Sequence, residues 1–396
     1  MLAKTPPMGW NSWNTFGPNI SDRLIRETAD RMVEEGYLDA GYTYLVIDDC
    51  WSLRERDEQG LLVPDPEKFP YGMKAVADYV HSRGLKFGMY SCAGVRTCAD
   101  YPSSYDHEFT DAKTFASWGV DFLKYDFCNF PDSGNCRNRY QTMSMALKAS
   151  GREILFSACN WGQQDPWRWM SSVGAHMYRS TGDIMDNFTS FTDIFKSQID
   201  HFCMSGSGCF NDMDMLTVGM CGKGNVGLGK ICSYEEYRLQ FSLWCLAGVP
   251  LMMGADLRSL DPKYRELMQN RDLLRINQDE ECRAPYLIRK GSLTISNPNP
   301  KEGEFPWKQI PDTSFTFFRH LSDGEFALSL INLGPQEAPI HCEMVDLGLP
   351  VSGGFGLAMK DVFTGETIEL RQDSFNPVVP SHDLKLYLCR MIPLHG

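Results

Sequence analysis

The chain has 396 residues, more than one hydrophobic core usually serves, so two domains are expected. Apolar residues make up 43% and charged residues 22%, the texture of a folded globular protein and not of a disordered one. A net charge of −13 repels phosphates and anionic lipid, which argues against nucleic acid and membrane surfaces as partners and leaves neutral small molecules open.

The N-terminal segment Met1–Trp10 carries one lysine and no apolar stretch, and no run of about 18 apolar residues follows. The 14 cysteines show neither CxxC nor paired Cys/His spacing. The expectation is a cytoplasmic protein whose cysteines are mostly reduced core thiols, with no metal and no cofactor.

One theme repeats along the first 280 or so residues. A short apolar or β-branched run ends in polar residues, an amphipathic segment follows, and a glycine precedes the next run. The runs are Met8–Trp13, Tyr44–Asp49, Lys86–Ser91, Val120–Asp126, Ile154–Cys159, His176–Ser180, Cys209–Leu216 and Val249–Gly254. Between the first two, Ser21 is placed to cap a helix through Glu35 with Leu24, Ile25, Thr28 and Met32 on one face. Met73, Val76, Ala77 and Val80 have the spacing of another. Gly36, Gly84, Gly119, Gly151, Gly174 and Gly248 stand where helix C-caps belong.

Eight strands alternating with helices fit a (β/α)8 barrel or a doubly wound sheet. Polar residues collect at the C-terminal ends of several different runs, which favours the TIM barrel, since a doubly wound sheet would gather them near one switch point. After Gln278 the runs become short and turn-separated, from Tyr286–Ile295 through Ser314–His320, Glu325–Asn332, Ile340–Val345, Ala358–Asp361 and Glu366–Leu370 to Asp383–Leu388. Residues 1–280 therefore read as a catalytic barrel, and residues 281–396 as a C-terminal antiparallel β-sandwich domain without a catalytic cluster.

Carboxylates recur at the strand ends: Asp48 and Asp49, Asp126, Asp183, then Asp212 and Asp214. By strand alternation Lys124 faces the same way as Asp126, Cys159 as Trp161, and Asp212 as Asp214. Indoles at Trp10, Trp13, Trp51 and Trp161 accompany the acids, and Arg179 precedes Asp183 by four residues. Any single Asp is better read as a turn or cap residue. Six at four strand ends, with flat aromatics beside them, are what glycoside hydrolysis needs.

Rival motifs are weaker. Residues 222–227 match G-x-G-x-x-G but open no clear helix, and no GxSxG, HExxH or Walker A sequence occurs. His201 and Cys203 are better read as structural than as metal ligands.

At these residues the chain resembles glycoside hydrolase family 27, the α-galactosidase and α-N-acetylgalactosaminidase family, from about residue 5 to its C-terminus. The resemblance is carried by Pro7–Trp13, Ile47–Trp51, Lys68–Pro70, Lys124-Tyr125-Asp126, Arg179–Asp183 and Asn211–Leu216, in order and at the family's spacing. It implies Asp126 as nucleophile and Asp183 as acid/base. It further implies that Asp48 and Asp49 bind O4 and O6 of galactose, that Lys124 and Arg179 reach O3/O4 and O2, that Trp13 and Trp161 line the sugar pocket, and that Asp214 supports the arginine. The implied activity is release of terminal α-linked galactose from α-galactoside substrates. Physical chemistry adds two expectations: Lys124 should hold Asp126 ionised, and partial burial should raise the pKa of Asp183.

Several positions depart from the family. The cysteine that pairs with the counterpart of Cys50 in secreted relatives is missing, whereas Cys98 and Cys128 match another family bridge. Met220–Cys232 is longer and richer in glycine than the family's connection, which leaves a homo-oligomer and a reshaped aglycone side open. The rival activities are those of an α-N-acetylgalactosaminidase, a β-L-arabinopyranosidase or an inactive sugar-binding module. Cys159 and Trp161 beside O2, and both aspartates near C6, weigh against the first two.

Overall fold

The computed structural model describes residues 2–303 and 305–394. The chain divides into two compact units, Met1–Cys232 with Val249–Gln269, and Ser233–Gly248 with Asn270–Gly396.

The first unit is organised by eight short parallel strands: β1 Met8–Asn11, β2 Tyr44–Val46, β3 Lys86–Cys92, β4 Phe122–Asp126, β5 Leu155–Cys159, β6 Met177–Arg179, β7 Phe210–Asp212 and β8 Leu251–Met253. Their order is β7-β6-β5-β4-β3-β2-β1-β8. The ring closes just past β7, where Leu216 bridges Met253 in parallel and its N–H donates to Met252 O at 2.8 Å. A (β/α)8 barrel results. Its strands are largely buried on both faces because parallel strands need helical crossovers that cover the outer face. Strand contact is close: a Cβ on Gly9 would fall 2.3 Å from Tyr44 O, so β1 can meet β2 only through glycine there.

The local rules read from sequence operate here. Ser21 Oγ accepts from Leu24 N at 3.3 Å and starts the helix Asp22–Glu34, which buries Leu24, Ile25, Thr28 and Met32. Met73, Val76, Ala77 and Val80 are the buried face of Gly72–Ser82. Gly119, at φ +87°, ends Glu108–Trp118 in the left-handed conformation that a side chain would strain. No helix among the described residues is long and apolar enough to cross a membrane.

The second unit holds a six-stranded antiparallel sheet, ordered Thr367–Leu370, Phe355–Asp361, Asp383–Pro393, Phe326–Asn332, Trp307–His320, Tyr286–Ser296. Two two-stranded ribbons contribute Cys342 and Val379, and the link between them Ile340, to a core with Leu328, Leu330, Leu357 and Met359 of the sheet. The helix Tyr234–Ala247 belongs to this unit and starts at a capping box between Ser233 and Glu236.

Two of the expected strands that change length do so for a visible local reason. Ser314–His320 extends back to Trp307, with a shift of register between Ile310 and Ser314, where Pro311 can donate no hydrogen bond and Asp312 takes φ +52°. Of Ile340–Val345 only Cys342–Glu343 pairs, because Met344–Leu347 coils into a 3-10 turn that ends at Gly348.

Candidate active site

The C-terminal strand ends open on a cavity of about 280 Å³. Its walls include Trp13 after β1, Asp48 and Asp49 after β2, Lys124 and Asp126 of β4, Cys159 and Trp161 at β5, Arg179 and Asp183 at β6, and Asp214 after β7. Every residue to which the resemblance gives a role, and Cys159, thus borders one space, whereas Asp212, Trp10 and Trp51 do not line it.

Backbone strain explains how so many side chains point inward. Cys50 (φ +71°), Trp161 (φ +55°) and Asp214 (φ +79°) are non-glycine residues in the left-handed region, each at the exit of a strand. Such conformations cost of order 1–3 kcal/mol each and persist where the surroundings impose them. Hydrogen bonds do so here. Asp49 Oδ1 accepts from Cys50 N at 2.7 Å, and Asp214 accepts from Met215 N at 2.8 Å and Ile184 N at 2.7 Å. Gly162 fits under Ser180 O, where a Cβ would approach to 2.4 Å.

Each acid has its own surroundings. Asp48 is buried and accepts from Lys124 Nζ at 2.8 Å, Asn11 Nδ2 at 2.7 Å and Asp49 N at 3.0 Å. Asp49 accepts from Ala99 N at 3.0 Å, and burial pushes its carboxyl above the usual range despite that bond. Asp126 accepts from Phe127 N at 2.9 Å and from the Tyr90 hydroxyl at 3.0 Å. Burial raises its carboxyl too, and Lys124 is the largest influence in the opposite direction. Lys124 thus favours the ionised form of Asp126, as expected from the sequence, but does not outweigh burial. The ammonium is committed to Asp48, and burial decides the direction for Asp126.

Asp183 brings a correction. It is not partly buried: its side chain is 64% exposed, and Oδ1 accepts from Arg179 Nη2 at 2.7 Å. The same Nη2 lies 2.8 Å from Asp214 Oδ2, so one buried guanidinium holds an exposed and a buried carboxylate together. Gly182 and Asp183 follow the end of β6 at Arg179 and leave the barrel surface, which is why burial does not reach the acid.

Asn14, Tyr90, Met185 and Met215 of the wall were not picked out from sequence, Cys98 was noted only as a bridge partner, and Asn225 and Val226 belong to the glycine-rich stretch expected on the aglycone side. Tyr90 was legible in principle, as a polar tip near the end of β3 in register with Lys124. Asn225 and Val226 arrive on the glycine-rich loop, which is pinned by Asn225 N donating to Asn14 O (2.7 Å) and Asp186 N to Val226 O (2.9 Å). Gly224 passes so close to β1's exit that a Cβ would sit 2.7 Å from Thr15 Cα.

His201 stacks on Trp167 with ring centroids 3.9 Å apart. Cys50 is free and buried, whereas Cys98 and Cys128 are joined in a disulfide. Among the described residues one group, Cys98, Asp126 and Cys128, has the proximity a metal ion needs, and the disulfide occupies both of its sulfurs.

Carboxylates, cations and indoles gathered at the C-terminal mouth of a (β/α)8 barrel define a glycoside hydrolase. The family model described as Alpha galactosidase A matches residues 5–279. The chain is 41% identical over 389 residues to the α-galactosidase of Cyamopsis tetragonoloba, covering 98% of this chain and 86% of that one. It superposes with a TM-score of 0.86 on α-galactosidase I of Mortierella vinacea, at 31% identity over 98% of this chain and 97% of that one. The α-galactosidase of Saccharomyces cerevisiae, solved with raffinose, gives the same TM-score at 28% identity, over 99% of this chain and 98% of that one. The chain belongs to the α-galactosidase A family, glycoside hydrolase family 27.

Proposed function

We propose that this chain is a retaining exo-α-galactosidase that removes terminal α-linked galactose from oligosaccharides and glycosides. One observation carries the reading: the cavity closes over buried Asp48 and Asp49 while Asp183 stands exposed, a pocket that takes a single chain end.

Asp126 attacks the anomeric carbon while Asp183 gives its proton to the departing glycosidic oxygen, leaving galactose esterified to Asp126. Asp183 then takes a proton from the water that attacks the same carbon, and α-galactose is released. Asp48, Asp49 and Lys124 receive the O3, O4 and O6 hydroxyls, Arg179 meets O2, and Trp13 and Trp161 lie against the ring. Proton NMR of the first product anomer tests the reading: initial α-galactose is expected from an α-galactoside, and initial β-galactose would overturn it.

A cytoplasmic location is part of the proposal, supported by a single disulfide, Cys98–Cys128, among the described residues of a chain with 14 cysteines. So is a homo-oligomer, supported by Leu228 and Ile231, which expose 62% and 53% of their surface on the glycine-rich loop. Light scattering before and after replacing that loop with a short turn tests the oligomer. A monomeric mass for the intact chain would refute it.

A further inference from the structure

The disulfide lies against the residue proposed as nucleophile. Cys98 Sγ is 3.4 Å from Asp126 Oδ2, and the Tyr90 hydroxyl lies 3.4 Å from the same sulfur and 3.0 Å from the same oxygen. The ligand atoms of Cys98, Cys128 and Asp126 all lie within 4.8 Å of one another. Cys98 is exposed and lines the sugar cavity, so an ion entering that cavity reaches the group directly.

We propose that, once the Cys98–Cys128 bond is reduced, the two sulfurs and the Asp126 carboxylate form a binding site for a soft divalent cation such as Zn2+, which closes the enzyme to substrate. The chemistry balances with a dithiol or phosphine as reductant. A dithiol gives up two electrons and two protons and becomes a disulfide. A phosphine gives up two electrons, takes oxygen from water to become its oxide, and leaves the two protons of that water. In either case the S–S bond becomes two thiols, and metal binding then displaces both thiol protons.

Three observations support the site. Zinc bonds of about 2.3 Å to sulfur and about 2.0–2.2 Å to oxygen set a tetrahedral S···O edge near 3.5 Å, and Cys98 Sγ and Asp126 Oδ2 stand 3.4 Å apart. Two thiolates and a carboxylate suit a soft or borderline ion, with the fourth position left to water from the open cavity. The surrounding field is acidic, since the cavity wall carries Asp48, Asp49, Asp126, Asp183 and Asp214 against Lys124 and Arg179. Tyr90 keeps its bond to Oδ2 and orients the carboxylate from outside the ligand set.

The consequence is a metal sensitivity gated by thiol chemistry. A cation on Asp126 removes the nucleophile and obstructs the sugar, whereas the oxidised protein offers no sulfur ligand. The inference rests on the proposed role of Asp126 only for the loss of activity; binding itself does not depend on it.

Titration of the phosphine-reduced, desalted full chain with Co2+ tests binding without any substrate. A thiolate-to-cobalt charge-transfer band saturating at one equivalent is expected from the reduced protein and not from the oxidised one. Hydrolysis of a nitrophenyl α-galactoside by the reduced enzyme should fall about tenfold when Zn2+ reaches ten times its Kd, and EDTA should restore it. Cys98→Ser should lose the band, and the Zn2+ response relative to its own metal-free rate, while Cys203→Ser and Cys221→Ser keep both. Absence of the band from the reduced protein, or a band unchanged in Cys98→Ser, overturns the site. Should Cys98→Ser fail to fold, alkylation of the reduced protein read by mass spectrometry decides instead: Zn2+ must protect Cys98 and Cys128, and equal labelling with and without it sinks the proposal.

Discussion

Lys124 Nζ stands 2.8 Å from Asp48 Oδ2, and the pair is nearly closed to solvent, with side chains 16% and 2% exposed. The cation that a two-residue spacing aims at Asp126 thus gives its hydrogen bond to Asp48, another residue of the cavity wall. Removing one partner of such a pair leaves a buried charge uncompensated, so Lys124→Met should destabilise the protein by about 2–4 kcal/mol and weaken sugar binding. Urea unfolding and KM together check this. Wild-type stability in the variant would mean that the pair is not the support described.

The two proposed catalytic acids should separate by substrate and by rescue. Asp126→Ala should lose activity on every substrate. Asp183→Ala should slow substrates with poor leaving groups most, since only these need the proton, and azide should restore turnover by attacking the intermediate unaided. Product analysis by NMR reads the roles. If azide instead rescues Asp126→Ala to an α-galactosyl azide and leaves Asp183→Ala inert, the assignments are exchanged.

How much was legible in the sequence depends on how far each feature is local. Strands and caps were, because Ser21, Gly119 and the apolar spacing of Gly72–Ser82 act over a few residues. The site was reachable through the alternation of β4, which places Lys124 and Asp126 on one face. Elsewhere alternation reached the right residues by a different route. β5 ends at Cys159 and β7 at Asp212, and positive φ angles, not strand parity, turn Trp161 and Asp214 into the pocket. Asp48 and Asp49 are adjacent and would face apart in a strand, but β2 ends at Val46 and both reach the cavity. Partner choice was not legible: the commitment of Lys124 to Asp48 and the exposure of Asp183 follow from where separate strand ends meet.

A pH effect follows from Asp212, which lines a small cavity of about 30 Å³ with Lys124, Arg179 and Asp214. Burial raises its carboxyl to about 6, with Arg179 as the strongest opposing influence. An unfolded aspartate titrates near ~3.9, so between about pH 4 and pH 6 the folded protein binds a proton that the unfolded chain lacks. Stability from this group therefore falls as pH rises through that window. Asp212→Asn keeps an acceptor for Asp214 N, which bonds Asp212 Oδ1 at 2.9 Å, and removes the charge. Relative to wild type it should gain on the order of 2 kcal/mol from pH 4 to pH 7. Unfolding free energies measured at several pH values decide it, and a stability difference that does not vary with pH would refute the assignment.

The choice of sugar rests on what can yield near O2 and C6. Cys159 is buried at the end of β5, and Trp161 packs its ring edge-on to Phe127 with centroids 6.2 Å apart. Gly162 fixes the chain after it against Ser180 O, so the indole has no free backbone to swing on. A 2-acetamido group would overpack this wall, at about 1–3 kcal/mol or more. With Asp48 and Asp49 at O4 and O6 as proposed, the wall near C6 is two aspartates without the extra methylene of a glutamate, which leaves room for a hydroxymethyl group. Glucose turns O4 equatorial and leaves those buried acids without their donor, and sites built around a specific hydroxyl reject the analogue lacking it by ~10⁴-fold or more. α-Galactosides should therefore exceed α-N-acetylgalactosaminides, β-L-arabinopyranosides and α-glucosides in kcat/KM, measured on the four nitrophenyl glycosides. Trp161→Ala should narrow the gap to the N-acetyl sugar by about tenfold or more, by removing the bulk and not the chemistry. A rival that surpasses the galactoside on the unaltered enzyme would show that the wall at Cys159 and Trp161 does not set the specificity.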